Sequence, residues 1–207
     1  MGVPYCDVLC SKENDEIFRY AYGTNVTGEE HLQMYSCSKP ITAIAAMMLL
    51  ERGLLHLNDE AEKYLPVLSE CFLLNESGQK VSPKKKITIR HLLTMTAGFT
   101  YDVDTEPIKK LQRDNPLADL RKFISAFVQS PLAFEPGAKF QYSLCYDVLA
   151  GVIEGAAEKK FSEFVRDNIF SRLKWTIQVL IIEKRIFPRC IKRKKTEKYT
   201  LWVVKII

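Results

Sequence analysis

No apolar run in this 207-residue chain approaches the roughly 18 residues that a membrane-spanning helix needs. The longest, Ile41 to Leu50, reads as a buried helix instead. The opening stretch, MGVPYCDVLCSKENDE, lacks the basic start and long apolar core of a secretory signal. The chain as written is therefore expected in the cytoplasm; an export signal lost upstream would place it in the periplasm or outside the cell. CxxC pairs are also missing. The six cysteines, at 6, 10, 37, 71, 145 and 190, show no metal-like spacing, and His31, His56 and His91 are scattered. No metal and no cofactor is expected, and the cysteines are expected as reduced thiols. The sequons at Asn25 and Asn75 matter only for a secreted chain.

Charge is unevenly spread. Residues 171–207 carry eleven Lys and Arg against two acidic residues, whereas residues 1–170 carry nineteen against twenty-three. A mildly acidic body thus precedes a strongly basic end, so the overall net charge of +5 says nothing about what the body binds. Beyond Lys174 the chain has no Gly, Asn or Asp, and β-branched runs alternate with the basic cluster Lys192–Lys195. Such a cluster can meet phosphate backbones or anionic membranes but is more often a solvated segment. No specific nucleic-acid partner is expected.

With 47% hydrophobic residues the chain can build a sizeable core. Two apolar stretches around Lys12-Glu13-Asn14-Asp15 predict a β-hairpin. Pro40 to Arg52 predicts a helix: Pro suits a first turn, Ile41, Ile44, Ala45, Met48 and Leu49 recur at helical spacing, and Gly53 stops it. Being apolar nearly all round, this helix is expected at the centre of the core. Asn58 or Asp59 would cap a short turn, Thr88 a helix through IRHLLTMT, and Ser143 a helix from about Cys145 to Glu158. NESGQKVSPKKK and YDVDTEPIKKLQRD read as loops. Asn115-Pro116 opens a helix through Gln129, and Phe161 to Leu173 forms one more.

Ser36-Cys37-Ser38-Lys39 holds the most pointed chemistry. A serine hydroxyl needs a base to become a nucleophile, and a lysine can serve when its surroundings favour the neutral amine. Residues i and i+3 on a helix share a face, so a helix beginning near Ser36 brings the two together. Its N-terminal N–H groups would add a donor for a developing oxyanion. The tetrapeptide is common by chance, however, and Ser38 is an ordinary cap before Pro40.

Three separated segments strengthen the case. MYSCSKPITAIAAMMLLERGLLHLNDEAEKYLP, ITIRHLLTMTAGF and PLAFEPGAKFQYSLCYDVLAGVIE follow one another at plausible spacing. Together they resemble the serine β-lactamase and penicillin-binding-protein superfamily, in its class C-like branch of β-lactamases, esterases and D-aminopeptidases. The resemblance implies an α+β fold, a helical cluster packed on an antiparallel sheet, spanning residues 1–173, with 174–207 a divergent basic tail. It implies Ser36 as the acylated nucleophile, Lys39 as the adjacent proton acceptor, and Tyr142 as the second-motif tyrosine that shares base duty and protonates the leaving group. A small-molecule amide or ester, namely a β-lactam, a D-amino-acid peptide or a short ester, is the implied partner; the oligomeric state is left open.

Two departures qualify that picture. The family's second motif is commonly Tyr-x-Asn, but here it is Tyr142-Ser143-Leu144, which weighs against β-lactam hydrolysis more than against ester hydrolysis. The third motif, Lys-Thr-Gly or His-x-Gly, is absent from the sequence. That strand normally supplies the second oxyanion N–H, and losing one such donor costs about 3–4 kcal/mol in barrier. IFSRLKWT begins like the family's corresponding segment and then diverges, so truncation of the family fold and an incomplete sheet are expected. The alternatives are a non-catalytic remnant of the family and a binding module acting through the basic tail.

Overall fold

The structure is a computed structural model describing residues 5–13, 15–23 and 34–175. The expected basic tail falls almost wholly outside these residues. Two compact units divide between Ser36 and Cys37.

In the first unit, β1 (Tyr5–Lys12) and β2 (Asp15–Gly23) form the expected antiparallel hairpin. Glu13 turns the corner with φ of 57°, and the register slips once, between Cys10 and Ser11. Strand alternation puts the pairs Cys6–Tyr22, Val8–Tyr20 and Cys10–Phe18 on one face, and Asp7–Ala21 and Leu9–Arg19 on the other. The polar face carries an Arg19–Asp7 ion pair at 2.9 Å. On the apolar face Val8, Phe18, Tyr20 and Tyr22 are all exposed.

The second unit is built from helices. A 3-10 turn at Tyr35–Ser38, whose first two residues belong to the first unit, leads directly into α1 (Lys39–Glu51). A small antiparallel pair joins β3 (Leu73–Leu74), just before the stretch that reads as loop, to β4 (Lys80–Val81) within it. Strands of two residues leave no alternation to detect. Next come α2 (Ile89–Leu93), α3 (Glu106–Asp114), α4 (Leu120–Phe127), α5 (Cys145–Ala157) and α6 (Phe161–Val165), the last continued by a single π turn, Arg166–Phe170.

The central helix is α5 rather than α1. It packs against α1, α2, α4 and α6 and buries Val148, Leu149, Val152 and Ile153. Gly151 and Gly155, one turn apart, let the helix be approached closely, by the Ile124 and Leu65 side chains at Gly151 and by the Tyr64 backbone at Gly155. A Cβ at Gly155 would sit 1.9 Å from the Tyr64 carbonyl oxygen. By contrast α1 buries only Thr42, Ala45, Ala46 and Leu49 and leaves Ile44 and Met47 exposed.

Local caps decide the boundaries. Thr88 caps α2 as expected: its hydroxyl accepts the His91 N–H while its own N–H donates to His91 Nδ1. α4 begins at Leu120, later than the Asn115-Pro116 signal, because the Asp119 carboxylate accepts the Lys122 N–H and sets the first turn there. Ser143 does not cap α5. It is buried, with its hydroxyl donating to Cys145 Sγ at 3.1 Å, and Leu144 occupies the cap position. Helix α3 was expected as loop. Its surface is almost wholly polar and only Ile108 is fully buried, so little apolar period marks it. Among the described residues no helix is long and apolar enough to cross a membrane.

Candidate active site

The second unit brings Lys39 and Tyr142 together. Lys39 is the first residue of α1, half-buried, with its ammonium 4.8 Å from the centre of the Tyr142 ring. The same ammonium lies 5.9 Å from the ring of Tyr101, and the two rings are 5.5 Å apart at 32°. A lysine between two aromatic faces is held by their quadrupoles, each contact worth about 0.5–1 kcal/mol at a partly exposed site. Tyr101 carries no signal in the sequence, since it follows Thr100 in a stretch without period.

Backbone ties hold Tyr142 in place. The segment 133–144 runs alongside 95–100, with the Ala133 N–H donating to the Gly98 carbonyl at 2.8 Å and the Gly137 N–H to Thr96 at 2.8 Å. The Gln141 N–H donates to Met95 at 3.0 Å and the Leu144 N–H to Thr100 at 3.2 Å. Two of the accepting residues need left-handed backbone: Met95 has φ of 54° and Gly98 of 90°. A Cβ at Gly98 would approach the Phe134 carbonyl oxygen to 2.3 Å, so only glycine fits there. Leu144 is buried in the core cluster and carries no polar side-chain group. Tyr142, two residues earlier, is 44% exposed.

One further charged group acts on Lys39. Asp147 sits half-buried in the first turn of α5. Burial pushes its carboxyl up to about 6, against the pull of the Lys39 ammonium and of its own backbone N–H. Neither the spacing nor the composition of the sequence singles out Asp147, because an acid in a first turn is ordinary.

Ser36 belongs to the first unit and lies in the 3-10 turn one turn ahead of Lys39. Ser36 is exposed, and the residue before it, Tyr35, takes φ of 43°, a left-handed conformation that costs a bulky residue about 1–3 kcal/mol. Among the described residues no three His, Cys, Asp or Glu side chains gather in a way that could hold a metal ion.

Comparison with known proteins adds ancestry. A family model described as Beta-lactamase matches residues 8–190. Acyltransferase mokF of Monascus pilosus is 28% identical over 159 residues, covering 74% of this chain and 38% of its own length. Lovastatin esterase of Penicillium rubens is 28% identical over 184 residues, covering 80% and 46%. Among solved structures, EstCE1, a hydrolase with promiscuous acyltransferase activity, aligns with a TM-score of 0.66 at 28% identity, over 84% of this chain and 48% of that one. This chain therefore spans less than half the length of each of these three relatives.

Proposed function

This chain belongs to the beta-lactamase family, and from that premise we propose that it carries acyl-transfer chemistry on a small-molecule ester or amide, with Ser36 as nucleophile. The observation that carries the reading is the Lys39 ammonium seated against the Tyr142 ring, one helical turn beyond Ser36. In the proposed reaction the Ser36 hydroxyl oxygen attacks the substrate carbonyl. Its proton passes to the Tyr142–Lys39 pair, and the leaving alcohol or amine takes a proton from Tyr142 as the acyl-serine forms. Water or an acceptor alcohol then releases the acyl group by the reverse proton traffic. Strained backbone immediately before Ser36 supports a functional role for that turn, since strain of this kind concentrates at working sites.

Esters are favoured over β-lactams. Leu144 fills a core position where the resemblance would place an amide able to reach the lysine or the substrate, and two of the relatives are named for ester or acyl transfer. A fluorophosphonate probe tests the nucleophile: the chain should be labelled once, at Ser36, and Ser36→Ala should abolish the label. Tyr142→Phe and Lys39→Met should slow labelling by about 10²–10⁴-fold, the usual worth of positioned acid–base groups. A folded chain that takes no label from fluorophosphonates or labelled penicillin would instead support a non-catalytic remnant of the family.

A further inference from the structure

The chain contains two Ser-Pro dipeptides, and the fold treats them differently. Ser130-Pro131 follows α4. The Ser130 N–H is bonded to the Phe127 carbonyl at 3.1 Å, and Leu132, just beyond, is buried with its N–H on the Phe72 carbonyl at 2.8 Å. That segment cannot be drawn into another protein's cleft without opening the core. Ser82-Pro83 lies in the link between β4 and Thr88. Ser82 is exposed, and so are Lys84, Lys85 and Lys86 immediately after the proline.

An exposed serine, a proline that fixes φ and offers no N–H, and cations at the next three positions suit an enzyme that binds its substrate extended. The cations further suit a cleft of negative potential. We propose that Ser82 is a phosphorylation site for a proline-directed serine/threonine kinase, and that its phosphate releases the 82–86 link from Glu135. In the transfer the Ser82 hydroxyl oxygen bonds the γ-phosphorus of ATP as the bond from that phosphorus to ADP breaks. The hydroxyl proton goes to the kinase's base, and ADP leaves.

The consequence follows from what surrounds the link. Both oxygens of the Glu135 carboxylate accept the Lys84 backbone N–H, at 2.9 and 3.2 Å. Lys86 pairs with Glu62 at 3.0 Å. A phosphoserine carries about −1.5 to −2 charge at neutral pH. Two residues from Lys84, it repels the Glu135 carboxylate and competes with Glu62 for the Lys86 ammonium. Glu135 opens the Pro136-Gly137 turn, which is bonded to Thr96 and runs on to Tyr142. Modification at Ser82 therefore loosens the far anchor of the segment that carries the phenol.

The experiment uses the full chain, ATP and a purified cyclin-dependent kinase, with tandem mass spectrometry to locate the phosphoryl group. One phosphate at Ser82 is expected, lost in Ser82→Ala and in Pro83→Ala, while both variants keep the circular dichroism of the parent. Hydrogen exchange at the Lys84 amide should become about tenfold faster in the phosphorylated chain. Phosphate at Ser130 instead, phosphorylation of Ser82 that survives Pro83→Ala, or no incorporation under conditions where a Ser-Pro-x-Lys control peptide is modified would each overturn the site. Unchanged exchange at Lys84 would overturn its coupling to Glu135. None of these readouts depends on catalysis by the chain itself.

Discussion

Leu149 in α5 and Phe18 in β2 are both large apolar side chains on regular elements, yet Leu149 has no exposed surface and Phe18 shows 52% of its own. Around Leu149, four helices converge on α5, where Gly155 lets the Tyr64 backbone press in and Gly151 makes room for the Ile124 and Leu65 side chains. Around Phe18, two strands pair with each other and the apolar side chains of one face remain open. A two-stranded hairpin is marginal alone, because pairing without a covered face leaves the hydrophobic effect mostly unused. The helical unit thus carries its own stability, whereas the hairpin is a half-finished layer.

That contrast can be broken or sharpened by substitution. The largest effect is expected from Leu149→Ala, which should cost about 2–5 kcal/mol in a denaturant titration followed by helical circular dichroism. A loss under 1 kcal/mol would mean that α5 is not the centre of the core. Next comes Asp147→Asn, whose effect depends on pH. The folded carboxyl is raised from 3.8 to about 6, so the folded chain holds this proton more tightly than the unfolded one. The stabilisation from that proton is complete below about pH 4 and disappears as pH rises through 6. Above that range Asp147→Asn should raise stability by up to about 2–3 kcal/mol, and near pH 4 it should change little. Parallel stability-against-pH curves for the two chains would show that Asp147 does not titrate in this window. The smallest effect belongs to Phe18→Thr, expected within about 0.5 kcal/mol, as for a surface position. A loss approaching that of Leu149→Ala would reveal that the apolar hairpin face is covered in solution.

Much of the helical unit could be read from residues alone. Thr88 marked the start of α2 because a cap acts within one turn. The body of α5 followed from an apolar stretch broken only by small residues. What escaped depended on distant partners. Only a few residues of α3 pack against α4, so its sequence looks like solvent-facing loop. The start of α4 was set by Asp119 rather than Asn115, since two plausible caps compete within one short stretch. In the site, the Ser36–Lys39 spacing was visible as local periodicity, and Tyr142 through the resemblance. Tyr101 and Asp147 were not visible. Each acquires meaning only when α1 folds against the rest of the unit and brings Lys39 beside it.

The paired stretches 95–100 and 133–144 have one more implication. Their bonds run from main chain to main chain, so the backbone position of Tyr142 is written in peptide groups, while the Lys39 and Tyr101 side chains meet its ring. Lys139 and Phe140, exposed just before it, can be exchanged without shifting that address. The rim beside the phenol is thus open to substitution while the backbone that carries Tyr142 keeps its place.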